Sequence, residues 1–191
     1  MKKWMFTLVI AAGALFSSCT KDNDITNDTL VKGLDNGDIG AGPVVTNWER
    51  GNAWSVSDSL DYKVFAHNKN LPSVTSDVLQ NGAVLVFVKN IQYDDGRRVS
   101  KPLRIPFHVL PSFGKPGYDQ AWYHMNAVGK VTVKYRTNKH KYGIEAQVPD
   151  EQVMVRIFVL SPEDLVRLDK TPVTISRMNY QELVDLLGTG L

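Results

Sequence analysis

From Trp48 onward the chain is dominated by an alternation of apolar and polar positions. Tyr62, Val64 and Ala66 alternate with Lys63, Phe65 and His67, while Val131, Val133 and Tyr135 share a face against Lys130, Thr132, Lys134 and Arg136. Successive side chains of a strand point to opposite faces, so this spacing predicts half-buried strands. Residues 83–88 are apolar without a break, which suits a strand covered on both faces; residues 153–160, apolar but for Arg156, read the same way. Asp94-Asp95-Gly96 has the chemistry of a hairpin turn, and residues 99–105 follow as its second arm. Pro102 and Pro106 push that arm to an edge, because proline has no N–H to give to a ladder. Tyr142, Ile144, Ala146 and Val148 resume the alternation after a polar loop and suggest a second hairpin with residues 131–136.

Helices are expected to be short. Thr75-Ser76-Asp77 opens a segment stopped by Gly82, and Ser161-Pro162-Glu163-Asp164 places a cap, a proline and acids in one first turn. Asn179-Tyr180-Gln181-Glu182 resembles a capping box for a helix that ends at Gly188. The predicted fold is mostly β. It is an antiparallel β-sandwich, with one helical turn before the central strand and one or two short helices at the C-terminus. No internal repeat is visible.

The N-terminus changes the picture. Lys2 and Lys3 precede an apolar run at residues 4–15, too short for the roughly 20 residues that span a bilayer. A basic start, a short apolar centre and small residues at 17 and 18 form a secretory signal, residues 1–18. Cys19 is the only cysteine. A lone thiol in an exported chain can neither pair internally nor stay inert, and lipidation at Cys19 resolves that. Each buried acyl CH₂ contributes about 0.8 kcal/mol, so several chains on one residue anchor firmly to a membrane. Residues 19–47, rich in Asp, Asn, Thr and Gly, read as a flexible tether, and residues 48–191 as a single domain. Asp22, Asp24 and Asp28 lack the spacing and bidentate Glu of a calcium loop.

Phe16-Ser17-Ser18-Cys19 followed by Thr20-Lys21-Asp22-Asn23-Asp24 resembles the leader of Bacteroidota outer-membrane lipoproteins, with a stretch similar to their surface-export signal. The resemblance implies an outer-membrane anchor with the domain facing the exterior; the periplasmic leaflet is the alternative. In the domain, residues 74–87, Leu103-Arg104-Ile105-Pro106 and Val155-Arg156-Ile157-Phe158 are similar to a family of small uncharacterised lipoproteins of the same bacteria. That similarity covers most of residues 54–160 and implies fold and location only.

Charge narrows the partners. The chain has 22 Lys and Arg against 20 Asp and Glu, and removal of Lys2 and Lys3 with the leader leaves 20 against 20. Bulk attraction to nucleic acid is not expected. The histidines at 67, 108, 124 and 140 show no ligand spacing, so no metal or other cofactor is expected. No nucleophile elbow is present, and Asp94, Asp95, Asp150 and Glu151 sit in turn-like contexts where acids are common. The chain does not read as an enzyme, a hydrolase with paired carboxylates being the weakest reading.

One stretch invites binding. If extended, residues 118–124 place Tyr118, Gln120, Trp122 and His124 on one face and Asp119, Ala121 and Tyr123 on the other. Exposed aromatics beside amides could stack on a sugar ring; core packing of Trp122 is the plainer alternative. Lys130, Lys134 and Arg136, with Lys139 and Lys141 in the following loop, could meet an acidic glycan or form a solvated face. The candidate binding residues are therefore Trp122, Tyr118, Gln120, Tyr123, Lys130, Lys134 and Arg136. The expected role is a lipid-anchored surface module for carbohydrate or host ligands, with an envelope assembly component as the alternative. Its expected partners are the membrane, through Cys19, and a carbohydrate or protein ligand.

Overall fold

The computed structural model describes residues 42–188, apart from 52, 60, 94–95, 111–118, 139–148 and 150. In chain order the elements are β1 (Val44–Val45), β2 (Glu49–Arg50), β3 (Ser55–Asp58), β4 (Tyr62–Asn70) and α1 (Ser76–Asn81). Then come β5 (Ala83–Lys89), β6 (Ile91–Gln92), β7 (Arg98–Val99), β8 (Leu103–Ile105), β9 (Phe107–Val109), β10 (Gln120–Ala127) and β11 (Lys130–Asn138). The chain continues through β12 (Met154–Leu160), α2 (Pro162–Arg167), α3 (Pro172–Ile175) and α4 (Tyr180–Leu187).

The protein is mostly β, with two antiparallel sheets face to face. The first sheet runs β1-β12-β5-β8, with β2 also paired to β12; the second runs β3-β4-β11-β10-β9. Between them lie Val86, Val88, Ile105, Val155, Ile157 and Val159 from the first sheet, and Phe65, Trp122, Val131, Val133 and Tyr135 from the second. The other face of the first sheet presents Val45, Leu85, Phe87, Phe158 and Leu160 to the helices, which contribute Leu165, Ile175, Leu183, Val184 and Leu187. The layers are thus sheet, sheet, helices. The unbroken apolar run of β5 follows from this order, since Val86 and Val88 serve one layer and Leu85 and Phe87 the other.

Local chemistry fixes the helix ends as expected. Ser161 Oγ accepts from Asp164 N at 3.1 Å while Ser161 N donates to Asp164 Oδ2 at 2.9 Å. Asn179 and Glu182 repeat the reciprocal pair at 3.0 and 2.7 Å, and α4 stops at Gly188 with φ +61°. The C-terminal region holds three helices rather than one or two. The additional one, α3, begins at Thr171-Pro172, the same cap-and-proline pair that opens α2. Gly82 lets β5 start against α1, because a Cβ there would lie 2.4 Å from Leu160 O and 2.9 Å from Val78 Cα.

Three expectations change. Residues 42–47 do not all belong to a tether: Val44 and Val45 pair with Val159 and Phe158, and Val45 is fully buried. Thr46 is buried too, its N–H donating to Ile157 O and its Oγ1 accepting from Ile157 N, both at 3.0 Å. The apolar pair was too short to register as a strand, yet it completes the edge of the first sheet. The hairpin proposed for residues 131–136 is made with β10 instead, and β4 fills the other edge of β11 along its whole length. Residues 142–148 lie outside the described residues, as do residues 1–41, and with them Cys19. Residues 99–105 are also two strands rather than one: β7 closes a small hairpin with β6, whereas β8 pairs with β5 at the sheet edge that Pro102 and Pro106 foretold.

Removing Val44 to Thr46 strips a buried side chain and several sheet hydrogen bonds. A chain beginning at residue 47 should be less stable than one beginning at residue 42 by about 2–4 kcal/mol. Urea midpoints of the two chains measure the difference, and equal midpoints would return these residues to the tether.

Candidate functional site

The second sheet has one face in the core and one without a layer over it among the described residues, since α2, α3 and α4 pack against the first sheet. Register decides which side chains share the outer face. Arg136 lies between Val64 and Ala121, Lys134 between Ala66 and Tyr123, and Thr132 between Asn68 and Met125. His108 continues the Arg136 row beyond Ala121. Thr132 Oγ1 donates to Asn68 Oδ1 at 2.8 Å, tying two strands on the surface.

A cleft of about 220 Å³ opens at one end of this face, lined by Asp61, Tyr62, His108, Asp119, Ala121, Arg136 and Asn138. The guanidinium of Arg136 lies 5.5 Å from the centre of the Tyr62 ring, a cation–π arrangement that keeps both side chains in place. Asn138 Oδ1 accepts from Asp119 N at 2.7 Å, which binds the start of β10 to the end of β11. The cleft therefore offers an aromatic face, guanidinium donors, two carboxylates and an imidazole within one depression. That mixture can pack a sugar ring and both donate to and accept from its hydroxyls.

The sequence-predicted residues divide between the two faces. Tyr123, Lys130, Lys134 and Arg136 are on the outer one, but only Arg136 reaches the cleft. Trp122 and Gln120 face inward, each 2 % exposed. Trp122 packs with its ring 4.8 Å from Tyr135, stacked 6.3 Å from Phe107 and edge-on 6.1 Å from Trp54. It is a core residue, and neither it nor Gln120 can form a binding platform. Burial leaves Trp122 Nε1 and Gln120 Oε1 without a protein hydrogen-bond partner among the described residues. Tyr118, Lys139, Lys141 and His140 lie outside the described residues, as do Asp94, Asp95 and Asp150. Asp61, Tyr62, His108, Asp119 and Asn138 were missed because their convergence depends on strand order, and no sequence spacing carries it.

No protein-family model, curated protein or solved structure matches this chain.

Among the described residues no group of three or more acidic, histidine or cysteine side chains could hold a metal ion. Nor, among the described residues, is any helix long and apolar enough to cross a membrane. His124 follows Trp122 on the inward side of β10, with its Nδ1 2.9 Å from Asn126 Oδ1. Burial pushes its pKa below 6.5, and the bond to Asn126 opposes that shift in part.

This has a consequence for stability. The unfolded chain binds a proton at His124 more readily than the folded one, so neutral His124 contributes fully above pH 6.5. That contribution is lost as the pH falls from 6.5 toward the lowered value. Urea midpoints taken across mildly acidic pH should therefore decline more steeply for the parent than for His124→Gln. Parallel declines would show that His124 does not contribute.

Proposed function

We propose that the protein is a lipid-anchored surface module that binds carbohydrate in the cleft between Tyr62 and Arg136. The observation that carries the reading is the cleft itself. Four strands of the outer sheet face, with the residues flanking them, bring Tyr62, Arg136, Asp61, Asp119, His108 and Asn138 together. An exposed tyrosine beside charged and amide groups suits a ligand with an apolar ring face and a rim of hydroxyls. The outer face beyond it carries Lys130, Lys134 and Tyr123, which suits an acidic or extended glycan. An assembly role would use the same face as a protein contact, whereas glycan hydrolysis would need Asp61 and Asp119 as its carboxylate pair.

A glycan array probed with the domain should give defined positives that fade with Tyr62→Ala and with Arg136→Ala. Losing either contact should weaken binding about tenfold, as expected for a charged hydrogen bond or a stacked ring. Both side chains are exposed, so stability should stay within about 0.5 kcal/mol of the parent. Positives that survive both substitutions would move the site elsewhere, and cleavage of a bound glycan that stops with Asp119→Asn would favour the hydrolase.

Anchoring is proposed from residues 16–24. Several acyl chains on Cys19 would hold the domain at the outer membrane, and the acidic stretch after it supports an exterior location. Cys19→Ala should leave an unprocessed chain that takes up no labelled palmitate. Protease added to intact cells should remove the domain from the parent. Labelling of the Cys19→Ala chain, or digestion only after the outer membrane is opened, would refute the anchor or the outward orientation respectively.

A further inference from the structure

On the opposite side of the molecule, the helix-facing surface of the first sheet gathers hydrogen-bond donors without matching acceptors among the described residues. Arg156, in the middle of β12, is 6 % exposed. Its Nε donates to Thr46 O at 3.0 Å and its Nη1 to the hydroxyl of Tyr180. Both acceptors are neutral, and they use two of the five N–H groups of the guanidinium. The Tyr180 oxygen also accepts from Trp48 Nε1 at 3.2 Å. With both lone pairs engaged, its own O–H is left to donate, and none of the described residues accepts it.

A second cation stands beside this group. Lys89 Nζ lies 4.3 Å from the centre of the Trp48 ring, and that ring is 5.5 Å from Tyr180. Arg50 shares the face, being opposite Met154, which in turn pairs with Lys89. The acids of α4 are engaged elsewhere: Glu182 Oε2 accepts from Asn179 N at 2.7 Å and Asp185 Oδ1 from Gln181 Nε2 at 2.8 Å. Among the described residues no carboxylate pairs with Lys89 or Arg156.

A buried cation facing only neutral partners is costly, and a surplus of donors is complemented by a group that carries only acceptors. We propose that Arg156, Lys89 and the Tyr180 hydroxyl form an oxyanion site, with Trp48 as its apolar wall. Its ligand is a sulfate, phosphate or carboxylate group, free or carried on a sugar acid. A guanidinium fork suits such groups, since two parallel N–H bonds match two of their oxygens. The site is in a different sheet from the Tyr62 cleft and does not depend on it.

The test titrates the full chain, held in detergent, with sodium sulfate, sodium phosphate, sodium glucuronate and sodium chloride at matched ionic strength. Thermal midpoint and tryptophan fluorescence are the readouts. At least one oxyanion should raise the midpoint saturably and perturb the fluorescence, while chloride should do neither. Tightest binding of glucuronate assigns a sugar acid, and tightest binding of sulfate or phosphate assigns the inorganic group. Lys89→Gln, at a half-buried position on a strand end, should keep its anion-free midpoint and bind at least about tenfold more weakly. Equal effects of chloride, no response to any of the three oxyanions, or an unchanged affinity in Lys89→Gln would each overturn the site.

Discussion

The structure depends on one constraint: β5 and β12, Arg156 and Lys89 apart, are apolar on both faces and must be covered twice. Phe87, Val86, Val88, Ile157 and Phe158 are each no more than 2 % exposed, and they project in both directions from the same two strands. A central pair of this kind cannot remain at a surface, because each such side chain is worth about 1.5–3 kcal/mol when withdrawn from water. One covering layer is the second sheet and the other is the C-terminal helices. The helices are too short to be stable alone, so they owe their persistence to this packing and to the reciprocal caps at Ser161 and Asn179.

Covering the central strands on both sides sets where function can reside. The second sheet turns one face to the core and, among the described residues, has no layer over the other, which carries Tyr62, Arg136, Lys134 and Tyr123. The helix layer leaves a different opportunity. Arg156 is the one charge in the otherwise apolar β12, and it joins the Thr46 carbonyl to the Tyr180 hydroxyl across the sheet and α4. Glu49 and Lys69 make a further tie between the two sheets, with both oxygens within 3.0 Å of the ammonium. Neutral acceptors satisfy Arg156 only in part. That incomplete match, rather than the number of positive charges nearby, is what distinguishes the place from an ordinary solvated surface.

The stretch at residues 118–124 shows how an aromatic cluster can mislead. Its alternation is real, and β10 is a strand from Gln120 onward. Alternation alone cannot say which face is inward. The partner strand settled it: Trp122 lies opposite Tyr135, and Tyr135 shares its face with Val131 and Val133 in the core. From this stretch only Asp119 and Ala121 reach the cleft, together with Arg136, which lies opposite Ala121 across the sheet.

The sequence by itself determined the strands at residues 62–67, 83–88, 131–136 and 153–160, the double covering of β5, the edge position imposed by Pro102 and Pro106, and the caps of α1, α2 and α4. Each of these follows from period, from a missing N–H or from a side chain that satisfies backbone groups within three residues, so each is local. Only the tertiary structure decided that Val44 and Val45 belong to the first sheet, that β11 pairs with β10 and β4, and that Trp122 is core. It also brought Tyr62 to Arg136 and Trp48 to Tyr180, pairs 74 and 132 residues apart in the chain. Such meetings are set by strand order and layer stacking, where the free energy lies in burial shared among distant segments. The spacing in the sequence marks which residues share a face but not which distant segment packs against it, so both candidate sites became visible only once the sheets were assembled.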